Sequence, residues 1–220
     1  MLVACPIVPV RRRAGGASRS KEAATVEGSR KRMVASAASL IGARGTSATS
    51  FSDVLAHSHA PRGSIYYHFP DGKRQLVAEA VRWTTDQVLA YQRSCTAVEP
   101  AGVVEHFVNL FRRSLEASEC RAGCPVAGVA IDAYADDEET RDLVRASFRS
   151  WTELLAHQLT RTGIPPRSAR ALSVTTVAAV EGALILSRAE GNQAPLEEVA
   201  GDLHTLARAA GPRPRARARR

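Results

Sequence analysis

Aromatic residues make up only 5% of the 220-residue chain and cysteines number four. No uninterrupted apolar run reaches the ~18 residues that a membrane-crossing helix requires. The longest candidate, residues 174–186, is broken by Glu181 and Gly182, so no membrane partner is expected. Cys5, Cys95, Cys120 and Cys124 are too few and too unevenly spaced for a disulfide framework, and reduced thiols are the expectation. Cys120 and Cys124 lack a second CxxC or HxxxH pair, and His57 and His59 point to different helix faces. Neither a metal nor a cofactor is therefore expected. The short apolar start of the chain is followed by Arg11, Arg12 and Arg13, whereas a secretory signal carries its positive charges first. A soluble, cytoplasmic protein is the expectation. Strand-type alternation and internal repeats are missing. So is any nucleophile–base pair or phosphate loop, and six scattered histidines form no constellation, which leaves an all-helical enzyme a poor reading.

What the chain does have is 45% apolar residues, enough to build a core and to exclude collagen or a wholly disordered polymer. The formal net charge is +8, unevenly spread. Residues 1–28 carry +3, residues 29–75 carry +5, and residues 208–220 carry +6, while residues 95–207 carry −6. A basic N-terminal third and a basic tail thus flank an acidic body. Phosphate backbones attract the former, and the latter is an ordinary soluble surface.

The periodicity is helical throughout, so the expected fold class is all-α. Residues 1–28, rich in Arg, Ala, Gly and Ser, read as a flexible basic arm. From Ser29, apolar Met33, Val34, Ala37, Ala38, Leu40 and Ile41 recur at helical spacing until Gly42 and Gly45. Thr49 or Ser50 can cap a short second helix over 51–57. Ser58-His59-Ala60 forms a turn, and Pro61 opens a third short helix to about His68. After the Pro70-Asp71-Gly72 turn, a longer connecting helix spans about 73–94. Further helices are expected over 103–117, 126–134, from the acidic run 136–139, suited to a helix start, to about 160, and over 169–189 and 196–209. The implied organisation is an arm (1–28), a helix-turn-helix domain (29–75), a helical body for effector binding and dimerisation (76–210) and a basic disordered tail (211–220).

Two short helices joined by a tight turn within the basic third form a helix-turn-helix pattern. A helix entering the major groove has to be short and to present polar side chains near its start. In Arg62-Gly63-Ser64-Ile65-Tyr66-Tyr67-His68-Phe69, helical spacing sends Ile65 and Phe69 to the core. It leaves Arg62, Ser64, Tyr66, Tyr67 and His68 for solvent or DNA, with Gly63 permitting close backbone approach. Lys73 stands at the next helix's N-terminus, a phosphate-binding position.

The stretch Thr49-Ser50-Phe51-Ser52-Asp53-Val54-Leu55-Ala56, followed by the run from Pro61 through Tyr66-Tyr67-His68-Phe69 to Lys73 and Leu76, resembles the TetR family of bacterial transcriptional regulators across roughly residues 29–76. Gly123-Cys124-Pro125-Val126-Ala127-Gly128-Val129-Ala130-Ile131-Asp132-Ala133 more weakly resembles the LmrA/YxaF subgroup. The resemblance implies an all-helical homodimer with an N-terminal DNA-binding domain and a C-terminal ligand-binding domain. It also implies phosphate contacts at Thr49 and Lys73, and a reading face of Arg62, Gly63, Ser64, Tyr66, Tyr67 and His68. One departure is His59, at a turn position usually held by Gly. A left-handed backbone there costs a non-Gly residue about 1 kcal/mol, although His is among the residues more often found in that conformation.

In the body, Phe107, Phe111, Tyr134, Phe148, Trp151, Leu155, Val177 and Leu184 are candidate walls for a small apolar ligand. Glu181, a carboxylate inside an apolar helix, must meet a cation, line a wet pocket or approach the dimer seam. Stripes at Leu172, Thr176, Val180, Ala183 and at Leu196, Val199, Leu203, Leu206, with small Ala178, Ala179 and Gly182, suit dimerisation through the last two helices. The expected function is a regulator of transcription on a palindromic operator, a repressor released by a small apolar molecule. The alternative is a nucleoid-type DNA-binding protein without ligand control.

Overall fold

The computed structural model describes residues 18–132 and 137–211, and gives the backbone alone for residues 18–26 and for Arg62. Nine α-helices and one 3-10 turn are present among these residues, and no strand. The helices are α1 (Ser18–Arg44), α2 (Phe51–Ser58), α3 (Ile65–His68), α4 (Gly72–Arg93), α5 (Pro100–Ala117), α6 (Pro125–Asp132), α7 (Glu138–Arg161), α8 (Pro166–Glu190) and α9 (Ala194–Ala210). The all-α expectation holds. The flexible arm does not hold over residues 18–28, which continue α1 as helix; residues 1–17, 133–136 and the tail 212–220 lie outside the described residues.

The boundaries follow local chemistry. Met33, Val34, Ala37, Ala38 and Ile41 bury one face of α1, and Gly45 ends that helix with a positive φ of 82° and an N–H bonded to Ile41 O at 2.8 Å. Ser50 caps α2 in a reciprocal box. Its hydroxyl accepts the Asp53 N–H at 3.2 Å, and Asp53 Oδ2 accepts the Ser50 N–H at 2.8 Å. The Ser50 hydroxyl, which donates to Asp53 Oδ2 at 2.6 Å, then the Ser50 N–H and Arg44 at 2.9 Å, hold the Asp53 carboxyl down to about 2. Pro61 stands just outside the third helix rather than at its first position, and a 3-10 turn (Arg62–Ser64) leads into α3. Prolines open α5, α8 and α9, where a missing donor is harmless. Glu138 and Glu139 lie in the first turn of α7, where their charge opposes the helix dipole as the acidic run suggested.

Helices α1 to α3 form a small head, and α5 to α9 form the body. The boundary placed at 75–76 falls inside α4, one continuous helix that packs on α1 as well as on α6 and α7. Trp151 is fully buried at the centre of the body. Its indole N–H reaches Thr85 O at 3.4 Å, and Gln158 donates to Gln92 O at 2.6 Å, tying α7 to α4. Arg112 grips both carboxylate oxygens of Glu197, at 2.6 and 2.9 Å, and joins α5 to α9.

By length and composition α8 is apolar enough to cross a membrane, contrary to the sequence expectation. Its apolarity is divided between two faces. Leu172, Thr176, Val180 and Ala183 are buried within the protein, so the stripe assigned to a dimer seam is core. Leu196 and Leu203 of α9 are buried as well. The outward face of α8 carries Val174, Ala178, Gly182, Ile185 and Leu186, with Leu206 of α9 also exposed. The α8 stripe and Leu196 and Leu203 of the α9 stripe are thus buried within one chain, which periodicity cannot distinguish from burial between two chains.

His59 adopts the left-handed conformation (φ 53°, ψ 35°), and its N–H closes α2 on Leu55 O. Replacing His59 with Gly should leave stability unchanged or raise it by up to about 1 kcal/mol, whereas a β-branched His59→Val should lower it by about 1–2 kcal/mol. Denaturant unfolding of both variants checks this.

Candidate DNA-reading head and the junction behind it

The reading helix has two faces. Ile65 and Phe69 are buried as their spacing requires, and Tyr66 and Tyr67 stand 70% and 79% exposed. Phe51 of α2 supports Tyr66 edge-on, with ring centroids 5.6 Å apart. The Arg30 guanidinium lies 5.4 Å from the Phe69 ring centroid and pairs with Glu79 of α4 at 2.5 Å. Both contacts hold the inner face of α3 against the head. Gly63 is open to solvent with nothing near the position of a Cβ. Ser64 is half-buried and donates its hydroxyl to Pro61 O at 2.7 Å. Lys73 is exposed in the first turn of α4. Arg62 lies in the 3-10 turn.

Two expected contact residues are turned inward. His68 is 8% exposed, wedged between the Tyr67 and Phe69 rings. The spacing that buries Ile65 and Phe69 carries the residue three after Ile65 along with them. Thr49 is buried too, and its hydroxyl donates to Gly45 O at 2.8 Å, closing the α1–α2 turn. Its role is to shape the head, and Ser50 beside it is the exposed cap.

Behind the head, the end of α1 sits directly on the body. A Cβ on Gly42 would come within 2.5 Å of Gly123 O, and a Cβ on Gly123 within 2.6 Å of Gly42 O. The two glycines permit backbone-on-backbone contact that any side chain would prevent. Two side chains tether the same junction. Arg188 of α8 donates to Gly42 O at 3.2 Å and to Ala43 O at 2.5 Å, capping the free carbonyls of α1. Asp132 at the end of α6 accepts from the Thr46 N–H at 2.5 Å, the Thr46 hydroxyl at 2.9 Å and the Ser47 N–H at 3.2 Å. The Ser47 amide first, then Thr46, keeps the Asp132 carboxyl below its usual range. Asp132 and Arg188 were not singled out as functional residues from sequence. Only the Gly123-to-Asp132 resemblance pointed toward this place.

The expected ligand walls are mostly filled by one another. Phe107, Phe111, Trp151, Leu155, Val177 and Leu184 are buried. Phe148 is half-buried and packs edge-on against Trp151 at 5.3 Å. Phe111, Trp151 and Leu184 border a space of only about 10 Å3, room for one water. Tyr134 lies outside the described residues. Glu181 does not face this interior space. With Leu184, it borders a cleft of about 280 Å3 between α1, α6 and α8. Burial pushes the Glu181 carboxyl up to about 7, opposed by a hydrogen bond from Cys124. Burial, and next the charge of Glu181, push the Cys124 thiol well above its usual range, so it remains protonated.

A short helix with a buried inner face and paired exposed tyrosines, carried on a basic three-helix head, defines a helix-turn-helix DNA-binding protein. The description "Bacterial regulatory proteins, tetR family" matches residues 34–80, and "Transcriptional regulator LmrA/YxaF-like, C-terminal domain" matches residues 100–202. An HTH-type transcriptional regulator of Mycobacterium tuberculosis is 39% identical over 188 residues, covering 82% of this chain and 95% of that one. The HTH-type transcriptional regulator LmrA of Bacillus subtilis is 28% identical over 182 residues, covering 81% and 96%. The fold matches the crystal structure of a TetR transcriptional regulator from Legionella pneumophila, with a TM-score of 0.73 at 23% identity, covering 88% of this chain and 100% of that one. The chain belongs to the TetR family of bacterial transcriptional regulators, with a C-terminal domain of the LmrA/YxaF-like type. It is a DNA-binding regulator rather than an enzyme, as its relatives are.

The weakened acidity of Glu181 has a pH consequence. The carboxyl is neutral in both states below its unfolded value of about 4.5. Between there and about 7 the unfolded state ionises first, so stability falls as pH rises. Glu181→Gln should therefore gain on the wild type by up to about 3 kcal/mol between pH 4.5 and 8. Urea unfolding across that range would read it, and a pH-independent difference would contradict it.

Proposed function

We propose that the protein is a homodimeric repressor that reads a palindromic operator with Tyr66 and Tyr67 and leaves it when a small apolar molecule binds. The observation that carries this reading is the outward pair of tyrosines on a helix whose opposite face is locked into the head. Large aromatics so exposed need a partner, and their neighbours Arg62, Gly63 and Ser64 are of the kind that approach phosphates and base edges. Lys73 supplies a phosphate contact. Thr49 and His68 are better assigned to positioning, because both are buried.

Dimerisation through α8 and α9 is supported by the exposed face of Val174, Ala178, Gly182, Ile185 and Leu186, continued by Leu206. Small Ala178 and Gly182 admit a second helix at close range, and a two-fold pairing would present two reading helices to successive major grooves. Operator binding requires access to the chromosome, so the working compartment is the cytoplasm.

Ligand control follows from how the head is held. A molecule that binds better to a state with a displaced head lowers operator affinity by the ratio of its two affinities. The closed interior around Trp151 means that a ligand placed there has to displace packed side chains. The competing reading, a nucleoid-type protein without ligand control, draws on the basic segments at both ends of the chain.

Competition binding separates the two. A sequence-reading dimer should prefer its selected palindrome over random duplex by about 10³-fold or more, and equal affinity would favour the nucleoid reading. Tyr67→Ala should weaken the palindrome by ~1–3 kcal/mol and relax sequence preference. Lys73→Ala should weaken all duplexes alike and reduce the salt slope by about 1. A Tyr67→Ala protein with full operator affinity would remove that side chain from the reading face.

A further inference from the structure

The cleft between α1, α6 and α8 is distinct from the filled interior of the body, and its construction is that of a small-molecule site. It measures about 280 Å3, where roughly 150 Å3 suffices for benzene. Ile41, Ala127, Ile131, Leu184 and Ile185 make its walls largely apolar. Glu181 lines the cleft, its Oε1 buried and without a nitrogen or oxygen donor, and the weak thiol of Cys124 its carboxyl's hydrogen-bond partner. A buried acceptor left unpaired costs free energy that a donor would recover. The other charged groups at the cleft are committed elsewhere. Arg44 pairs with Asp53, Arg188 caps α1, and Asp132 holds Thr46 and Ser47. With the Glu181 carboxyl held largely neutral by burial, Asp53 and Asp132 offset Arg44 and Arg188, and the cleft has no net attraction for either sign of ion. What is open is one acceptor in an apolar trough.

We propose that this cleft is a binding site for a compact, uncharged organic molecule that places an apolar body on Ile41, Ile131 and Leu184 and donates a hydroxyl hydrogen to Glu181 Oε1. The proposal deepens the ligand-control reading and rests on it only for its consequence. The cleft is bordered by Gly42, Asp132 and Arg188, the groups that seat the head on the body. An occupant therefore touches the parts that set the direction of α3. A ligand in the body core would have to act through several packed layers, whereas one here acts on the junction itself.

The test measures binding to the full chain without DNA, so its failure leaves the operator reading standing. Three probes share a frame and differ in the head group: 2-phenylethanol, ethylbenzene and phenylacetate. By ligand-observed NMR, 2-phenylethanol is expected to bind with a Kd on the order of millimolar. Ethylbenzene should be weaker by about fivefold, the worth of one net hydrogen bond, and phenylacetate should not bind. Glu181→Leu removes the acceptor and should erase the difference between the first two probes. Ala127→Phe fills the trough and should abolish binding of both, while thermal unfolding reports that each variant is folded. Absence of 2-phenylethanol binding at tens of millimolar would overturn the proposal. So would equal affinity for 2-phenylethanol and ethylbenzene in the unsubstituted protein, or undiminished binding by a folded Ala127→Phe variant. If the probe binds as described yet leaves operator affinity unchanged, the site stands and its coupling to the head fails.

Discussion

The contact between Gly42 and Gly123 is the constraint on which the arrangement of the molecule depends. With Cα hydrogens alone at both positions, the last turn of α1 can rest on the loop before α6. That close approach brings the free carbonyls of α1 within reach of Arg188 and the α1–α2 turn within reach of Asp132. The three contacts fall within one six-residue stretch, 42 to 47, and come from α6, the loop before it and α8. The head is thus oriented by polar and backbone contacts beside the apolar core it shares with α4 and α6, and joined to the body by one continuous helix, α4. Polar tethers have well-defined geometry and modest net energy. That combination allows a junction to have two discrete arrangements without loss of the fold.

The reading helix depends on this seat because it contributes little rigidity of its own. α3 is four residues long, too short to be stable by propensity alone. It is held by the burial of Ile65, His68 and Phe69, by the edge-on contact of Phe51 with Tyr66, and by Arg30 over Phe69. The inner face is therefore fully committed, and the outer face is left to two tyrosines. Positioning of those tyrosines is inherited from α1, and hence from the junction. The body shows the complementary logic. Its aromatic residues close on themselves around Trp151, while the Glu181 carboxyl opens toward the junction.

The sequence carried the helical architecture clearly, because caps, prolines and apolar spacing are local signals. Ser50 could be read in place as a cap, whereas α5 and α8 begin at Pro100 and Pro166, three residues before the expected 103 and 169. The left-handed turn at His59 was also legible, through the resemblance that puts a Gly-type turn there. The inward faces of residues were less so. Exposure of His68 was misjudged because a polar type was given more weight than the i, i+3, i+4 face it shares with Ile65 and Phe69. Thr49 was misjudged because a hydroxyl can serve the backbone as readily as a phosphate. The stripes of α8 and α9 have the period of a helix interface but do not say whether the other helix belongs to the same chain. The tethers Asp132 and Arg188 lie far in sequence from what they hold, so no spacing rule could pair them with residues 42–47. Glu181 was correctly marked as out of place in an apolar helix, but its destination, the head–body cleft, required the tertiary structure.

In the proposed dimer the junction sets where the two heads point, and a distance measurement between them tests this most directly. Nitroxide labels on Tyr67→Cys, in a background with Cys5 and Cys95 replaced by Ser, report the separation of the reading helices in the assembled pair by double electron–electron resonance. The expected result is one narrow distribution near the rise of a DNA turn, roughly 34–36 Å, or a multiple of it. Adding Asp132→Ala and Arg188→Ala should broaden or shift that distribution while the protein remains folded and paired. A distribution unchanged by loss of both tethers would contradict the claim that the junction sets the geometry of the heads.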